Sequence, residues 1–127
     1  MQERTALGEW LQDFTWDHFI TLTTKVPYAG TKGFESWVRA KERALRGRGV
    51  AEPLVTYAVF YEVTMPGWWH VHALTGGTGA LSTREMRANW KGFTQAERFD
   101  PARGAAYYVT KSYGTGKVAH WDVRLSK

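Results

Sequence analysis

Cysteine is absent from the 127 residues. That excludes disulfides, thiolate metal sites and a cysteine nucleophile, so any metal must be held by His, Asp or Glu. No apolar run approaches the roughly 18 residues that a membrane span needs. The opening MQERTALGEW lacks the basic-then-apolar pattern of a secretory signal. These absences lead to the expectation of an intracellular protein with no membrane partner. There is no Gly-x-x-x-x-Gly-Lys loop to cradle a nucleotide triphosphate. Internal repeats, low-complexity stretches and long linkers are also missing, so one domain spanning residues 1–127 is expected. Acidic residues are the minority charge, 12 against 17 Lys and Arg. The resulting net charge of +5 and pI near 9.6 favour a polyanionic partner, nucleic acid before a membrane surface.

What the chain does have is apolar and aromatic material: 43% hydrophobic residues, with seven Trp, six Tyr and six Phe. That is enough for a single core and argues against disorder. Leu7, Trp10, Leu11 and Phe14 make the stripe of an amphipathic helix over 4–14. WDHFITLTT, 16–24, alternates as a strand. Residues 26–33, with Pro27, Gly30 and Gly33, read as a loop. A helix follows over 34–46, with Phe34, Trp37, Val38 and Leu45 on its apolar face and Arg39, Arg43 and Arg46 in a separate basic row, stopped by Gly47 and Gly49.

VTYAVFYEVT (55–64) and WWHVHALT (68–75) form a hairpin across the turn at Met65-Pro66-Gly67. Ser82 and Glu85 are spaced as a capping box and open a short helix to about Trp90. A short strand over 94–99, a helix over 101–113 behind Asp100 and Pro101, and a strand over 118–125 complete the chain. Hairpin strands interleaved with helices predict an α+β domain, a ferredoxin-like antiparallel sheet with helices packed on it.

Three groups of residues carry chemistry. His70 and His72 lie two apart on a strand, so both imidazoles share a face with backbones about 7 Å apart. With the hairpin centred near Pro66, Glu62 stands opposite His70 on that face. Such a mixed N/O set suits Mg²⁺, Mn²⁺ or Zn²⁺, and spacing does not choose among them; two surface histidines and a solvated glutamate share the same pattern. In the helix over 101–113, Tyr107 and Tyr108 stand i, i+4 and i, i+3 from Lys111, so either pair shares a helix face. A phenol can serve as a covalent nucleophile, and an ammonium or metal beside it stabilises charge on a phosphate. An amphipathic helix edge accounts for the same residues. The third group comprises polar, basic and aromatic residues suited to nucleic acid. Thr21 and Thr23 face away from Ile20 and Leu22; Arg39, Arg43 and Arg103 can meet phosphates; Trp68 has the parity of the histidines and can stack on a base. Trp69 then belongs to the core, and His18 and His120 read as structural.

Taken in order, these segments resemble the HUH endonuclease superfamily, and more narrowly its rolling-circle replication initiator (Rep) proteins. FITLTT, 19–24, is similar to the first Rep motif. HVHAL, 70–74, is similar to the His-hydrophobic-His motif, and Glu62 stands where a third ligand precedes it. AAYYVTKSY, 105–113, is similar to the Tyr-x-x-Lys motif, with Tyr108 and Lys111 in its two slots.

The resemblance implies that a divalent ion, Mn²⁺ or Mg²⁺, on Glu62, His70 and His72 polarises a phosphate of single-stranded DNA at a replication origin. It implies that Tyr108 attacks to give a 5′-phosphotyrosine link and a free 3′-hydroxyl, and that Lys111 orients the phosphate. Unwinding would fall to a separate helicase. The second tyrosine of some initiators, four positions on, is replaced here by Ser112, which implies a single-tyrosine enzyme with Tyr113 structural. A single-tyrosine transposase of the same superfamily, and a non-catalytic nucleic-acid-binding module on the same scaffold, are the alternatives.

Overall fold

The structure, a computed structural model, describes residues 2–24, 27–65, 68–113 and 117–125. The elements follow as α1 (Gln2–Leu11), β1 (His18–Thr24), α2 (Pro27–Gly47), β2 (Thr56–Met65), β3 (Trp68–Gly76), α3 (Thr83–Arg87), β4 (Thr94–Arg98), α4 (Gly104–Tyr113) and β5 (Lys117–Arg124). This is the element order expected from the sequence. The strands form one sheet in the order β4-β1-β3-β2-β5, every neighbour antiparallel. Strands β1 to β4 with α2 and α3 make the βαββαβ pattern of a ferredoxin-like fold. To that core the chain adds α1 before it and α4 and β5 after it.

Strand alternation divides the core between the two faces of the sheet. On the first face Ile20, Leu22, Val59 and Val71 pack against Phe34, Trp37, Val38 and Leu45 of α2 and Met86 of α3. On the second, Phe19, Ala58, Phe60 and Leu74 pack against Leu7 and Leu11 of α1 and Ala105, Tyr108 and Val109 of α4. Helices α1 and α4 approach so closely that a Cβ on Gly8 would stand 2.7 Å from the Cα of Ala106. Gln12, just past α1, accepts the N–H of Ala105 through its side-chain oxygen at 2.6 Å, satisfying one donor of the first turn of α4.

Four boundaries differ from expectation by about three residues or more; the first is α1, which ends at Leu11 and not at Phe14. Residues 27–33 are helical, not a loop. Pro27 is the first helical residue, where its missing N–H costs nothing and its fixed φ fits, and Gly33 gives space to the Trp90 ring, 3.1 Å from where a Cβ would lie. The helix ends as expected, through a Schellman motif: the Val50 N–H donates to Leu45 O and the Gly49 N–H to Arg46 O, with Gly49 at φ +93°. Helix α3 has the expected capping box at Ser82 and Glu85 but stops at Arg87. Its last carbonyls turn to the buried ammonium of Lys41, which donates to Glu85 O at 2.6 Å and Ala88 O at 2.8 Å. Helix α4 starts at Gly104, three residues after Pro101. The Asp100 carboxylate caps a local turn by accepting the Ala102 N–H at 3.0 Å, and Gly104 takes a left-handed φ of +79° before the helix begins. Of the hairpin turn, Pro66 and Gly67 lie outside the described residues. Among the described residues no helix is long and apolar enough to cross a membrane.

Candidate metal centre and groove

Helix α4 covers the Leu74 end of the second face and leaves the His70 end of β3 uncovered. There the register forms two rungs. Thr23, His70 and Glu62 are neighbours across β1, β3 and β2, and Thr21, His72 and Phe60 form the next rung. The pairing of Glu62 with His70 is the one expected from the hairpin. The carboxylate reaches diagonally to His72, with Oε1 2.8 Å from Nε2. Glu62 is 3% exposed and His72 7% exposed, while His70 is half-buried. One ligand atom from each of the three residues lies within 4.8 Å of the others.

A carboxylate withdrawn from water beside two imidazoles is the chemistry of a metal-binding set rather than of a solvated strand. At ion–ligand distances of about 2.0–2.2 Å, neighbouring ligand atoms stand roughly 3 Å apart, so modest side-chain rotation closes the trio. Burial lowers the pKa of His72, more than the Glu62 hydrogen bond raises it. The neutral ring favoured by burial is also the ligating form. In that form Nε2–H donates to Glu62 and Nδ1 accepts from the Thr21 hydroxyl, 3.2 Å away. When Nε2 takes a metal, the proton belongs on Nδ1 and Thr21 becomes its acceptor, which fixes the ring from behind. The Phe19 ring stacks against His72 at 6.1 Å with planes 7° apart. The residues present therefore fit a divalent ion.

Two adjoining cavities open beside the trio. One, of about 340 Å³, is bordered by His70, His72, Thr21, Thr23 and Phe93. The other, of about 260 Å³, runs on over β4 to Arg87 and Glu97. Thr21, Gln95 and Lys111 line both, so they form one groove across β1 and β4. Lys111 reaches it from α4, its Nζ 3.6 Å from Glu97 and 5.5 Å from the centre of the Phe19 ring.

The structure thus brings together Glu62, His70, His72, Lys111, Thr21 and Thr23, all singled out in the sequence. Tyr108 is placed differently. It is 1% exposed, its ring lies 5.1 Å from Phe19 and 5.0 Å from Phe99, and its hydroxyl accepts the Asp100 N–H at 2.9 Å. The accessible phenol is Tyr107, 39% exposed, which accepts from Arg103 Nη1 at 2.8 Å and stands with its ring 5.9 Å from Lys111 Nζ. Arg103, in the turn before α4, lies against Tyr107, and Tyr107 and Lys111 stand one turn apart along α4. Tyr113 packs on Phe60 at 5.9 Å.

Arg39 and Arg43 are exposed on α2, on the opposite side of the sheet from the trio, so the basic row read from the sequence does not join this groove. Trp68 is half-buried two residues before His70, with the parity of the histidines, and Trp69 packs on the first-face core. His18 is buried with Nδ1 2.8 Å from the Thr78 hydroxyl, and His120 stacks on Tyr61 at 5.6 Å; neither joins the trio.

Sequence reasoning missed Arg87, Phe93, Gln95 and Glu97. The available signal was parity: in TQAER, Gln95 pairs with Thr21 and Glu97 with Phe19, and Thr94, Ala96 and Arg98 point to the other face. No family model, curated protein or solved structure matches this chain.

Proposed function

We propose that the chain nicks and rejoins single-stranded DNA by transesterification to a tyrosine, as a replication initiator of the rolling-circle type would. The observation that carries this reading is the convergence of the buried Glu62, His70 and His72 set with Lys111 on one open groove. A divalent ion bound by the trio, Mn²⁺ or Mg²⁺, would supply Lewis-acid stabilisation of charge on a phosphate oxygen. Lys111 adds a fixed positive charge on the same side. The attacking phenol loses its proton and forms a bond to phosphorus. The bond from phosphorus to the 3′-oxygen breaks and that strand leaves as a hydroxyl. Reversal by an incoming 3′-hydroxyl rejoins DNA, and because the phosphodiester is exchanged rather than hydrolysed, no nucleotide triphosphate is consumed.

The phenol that exposure favours as nucleophile is Tyr107, which is accessible one helical turn before Lys111, whereas the Tyr108 hydroxyl is held in the core. Tyr108 is the second reading, favoured by its three-residue spacing from Lys111, and requires its ring to leave the contacts with Phe19 and Phe99. Origin DNA, a separate helicase and an intracellular setting on plasmid or viral DNA complete the proposal.

The test is covalent capture. A randomised single-stranded pool incubated with the protein and Mn²⁺ should give a band that survives SDS, disappears in EDTA and is lost in Glu62→Ala. Intact metal-independent binding with no covalent band would replace this reading with that of a binding module.

A further inference from the structure

Phe93 is 74% exposed, the most open of the large apolar side chains among the described residues. An apolar ring left in water is common; one whose backbone is hydrogen-bonded in place beside a metal-binding set is not explained by packing. The backbone around it is pinned. The Thr23 N–H donates to Phe93 O at 2.9 Å, and the Thr23 carbonyl accepts from Trp90 Nε1 at 3.0 Å. Between them Gly92 sits at φ +130°, with the Thr23 oxygen 2.6 Å from where a Cβ would be. No residue with a side chain fits there, so the loop delivers Phe93 to one fixed place.

That place is set by register. Through its bond to Thr23, Phe93 extends the rung that continues into His70 and Glu62. Two strand spacings, roughly 10 Å, separate the Phe93 and His70 backbones. The ring borders the same cavity as His70 and Lys111. Its neighbours along that cavity are Thr23, Gln95 and Lys111, polar or cationic, which do not supply the continuous apolar surface that a protein partner's hot spot would meet. An exposed aromatic face in a groove that also holds the Lys111 ammonium matches what a nucleobase needs, with the ring for its π-face and the charge for its phosphates.

We propose that Phe93 is a stacking platform for one base of the single-stranded substrate, adjacent to the phosphate that the metal set and Lys111 receive. This rests on the nucleic-acid reading of the groove. Equilibrium binding of short fluorescent single-stranded oligonucleotides, measured by anisotropy in EDTA, tests it apart from the chemistry. Phe93→Ala should bind about 5- to 100-fold more weakly, Phe93→Trp should bind as tightly as the parent or better, and the Mn²⁺ affinity of all three should agree. Parental affinity in Phe93→Ala, or equal losses in the Ala and Trp variants, would overturn the platform.

The two failures are separable. If the parent forms the metal-dependent adduct and Phe93→Ala binds DNA equally well, only the platform falls. If the Ala loss and Trp recovery occur but no adduct ever forms, the platform stands and the nickase reading falls. If the parent binds no single-stranded DNA, both fall.

Discussion

At the scale of single residues, two adjacent tyrosines sit in opposite environments, Tyr107 exposed and Tyr108 buried. Tyr108 is part of the core between Phe19 and Phe99, and its hydroxyl is the partner of the Asp100 N–H. Tyr108→Phe removes that acceptor and leaves a part-buried donor unpaired, which should cost about 1–3 kcal/mol in urea unfolding. Tyr107→Phe removes a solvent-facing hydroxyl and should change stability by less than about 0.5 kcal/mol, yet abolish the covalent adduct. An adduct that persists in Tyr107→Phe but not in Tyr108→Phe would assign the chemistry to Tyr108. Helix spacing does not separate the two, because positions three and four before Lys111 share its face equally, and only the Tyr-x-x-Lys resemblance selected Tyr108. What separates them is long-range: Phe19 and Phe99 come from β1 and the segment after β4, and a motif spacing carries no information about which ring they enclose.

At the scale of elements, α3 has five residues and holds its place through its ends. Ser82 and Glu85 cap its start, a pairing legible from their spacing alone. Its end depends on Lys41, which is 1% exposed and lies 5.4 Å from the centre of the Trp37 ring. Burial lowers the pKa of that ammonium to about 8, leaving it mostly charged at neutral pH with three oxygens around it. Lys41→Met keeps the stem and removes the donors. It should cost about 1–3 kcal/mol by leaving the Ala88 carbonyl without its donor and taking the charged donor from Glu85 O, which keeps the Ala88 N–H. Hydrogen exchange should show the α3 amides opening first.

Lys41 gave no signal in the sequence, since a lysine among the arginines of a helix reads as solvated charge. The pairing of Glu62 with His70 was legible because strand parity and a hairpin centre fix it by geometry. The contribution of β4 to the groove was not, because a five-residue strand reveals its face only through its partner. The first turns of α2 were hidden by Pro27 and its following glycines, which punctuate loops more often than they open helices.

At the scale of the whole molecule, the sheet separates two basic surfaces. Arg39 and Arg43 lie on the α2 side; Lys111 and Arg87 line the groove on the other. Each phosphate contact contributes about 0.7 to the slope of log affinity against log salt for a single strand. Lys111→Ala should therefore flatten that slope by about 0.7, and the double replacement of Arg39 and Arg43 by Ala should leave it unchanged.

The folded state also carries a pH limit. His18 is buried between β1 and the segment at Thr78, and its pKa is lowered by burial first and then by the Arg98 charge, with Asp17 opposing. Well above pH 6.5 the ring is neutral whether folded or unfolded, and it adds no pH dependence to stability. Below it the unfolded chain takes a proton that the folded one resists, so stability falls with pH. Urea midpoints in EDTA should drop between pH 7 and pH 5.5. His18→Asn, which keeps a nitrogen for Thr78 and cannot titrate, should lessen that drop.

Peptide mapping of the captured species asks whether a metal-dependent bond joins DNA phosphate to a tyrosine of α4. Trypsin releases residues 104–111, GAAYYVTK, as one peptide containing both phenols. After nuclease trimming, this peptide should carry a nucleotide's added mass in Mn²⁺ and not in EDTA, with fragment ions placing it on Tyr107. The same mass on Tyr108 would keep the chemistry and overturn the choice of nucleophile. A captured species with the nucleotide on any other peptide, or an unmodified 104–111 peptide throughout, would contradict the account.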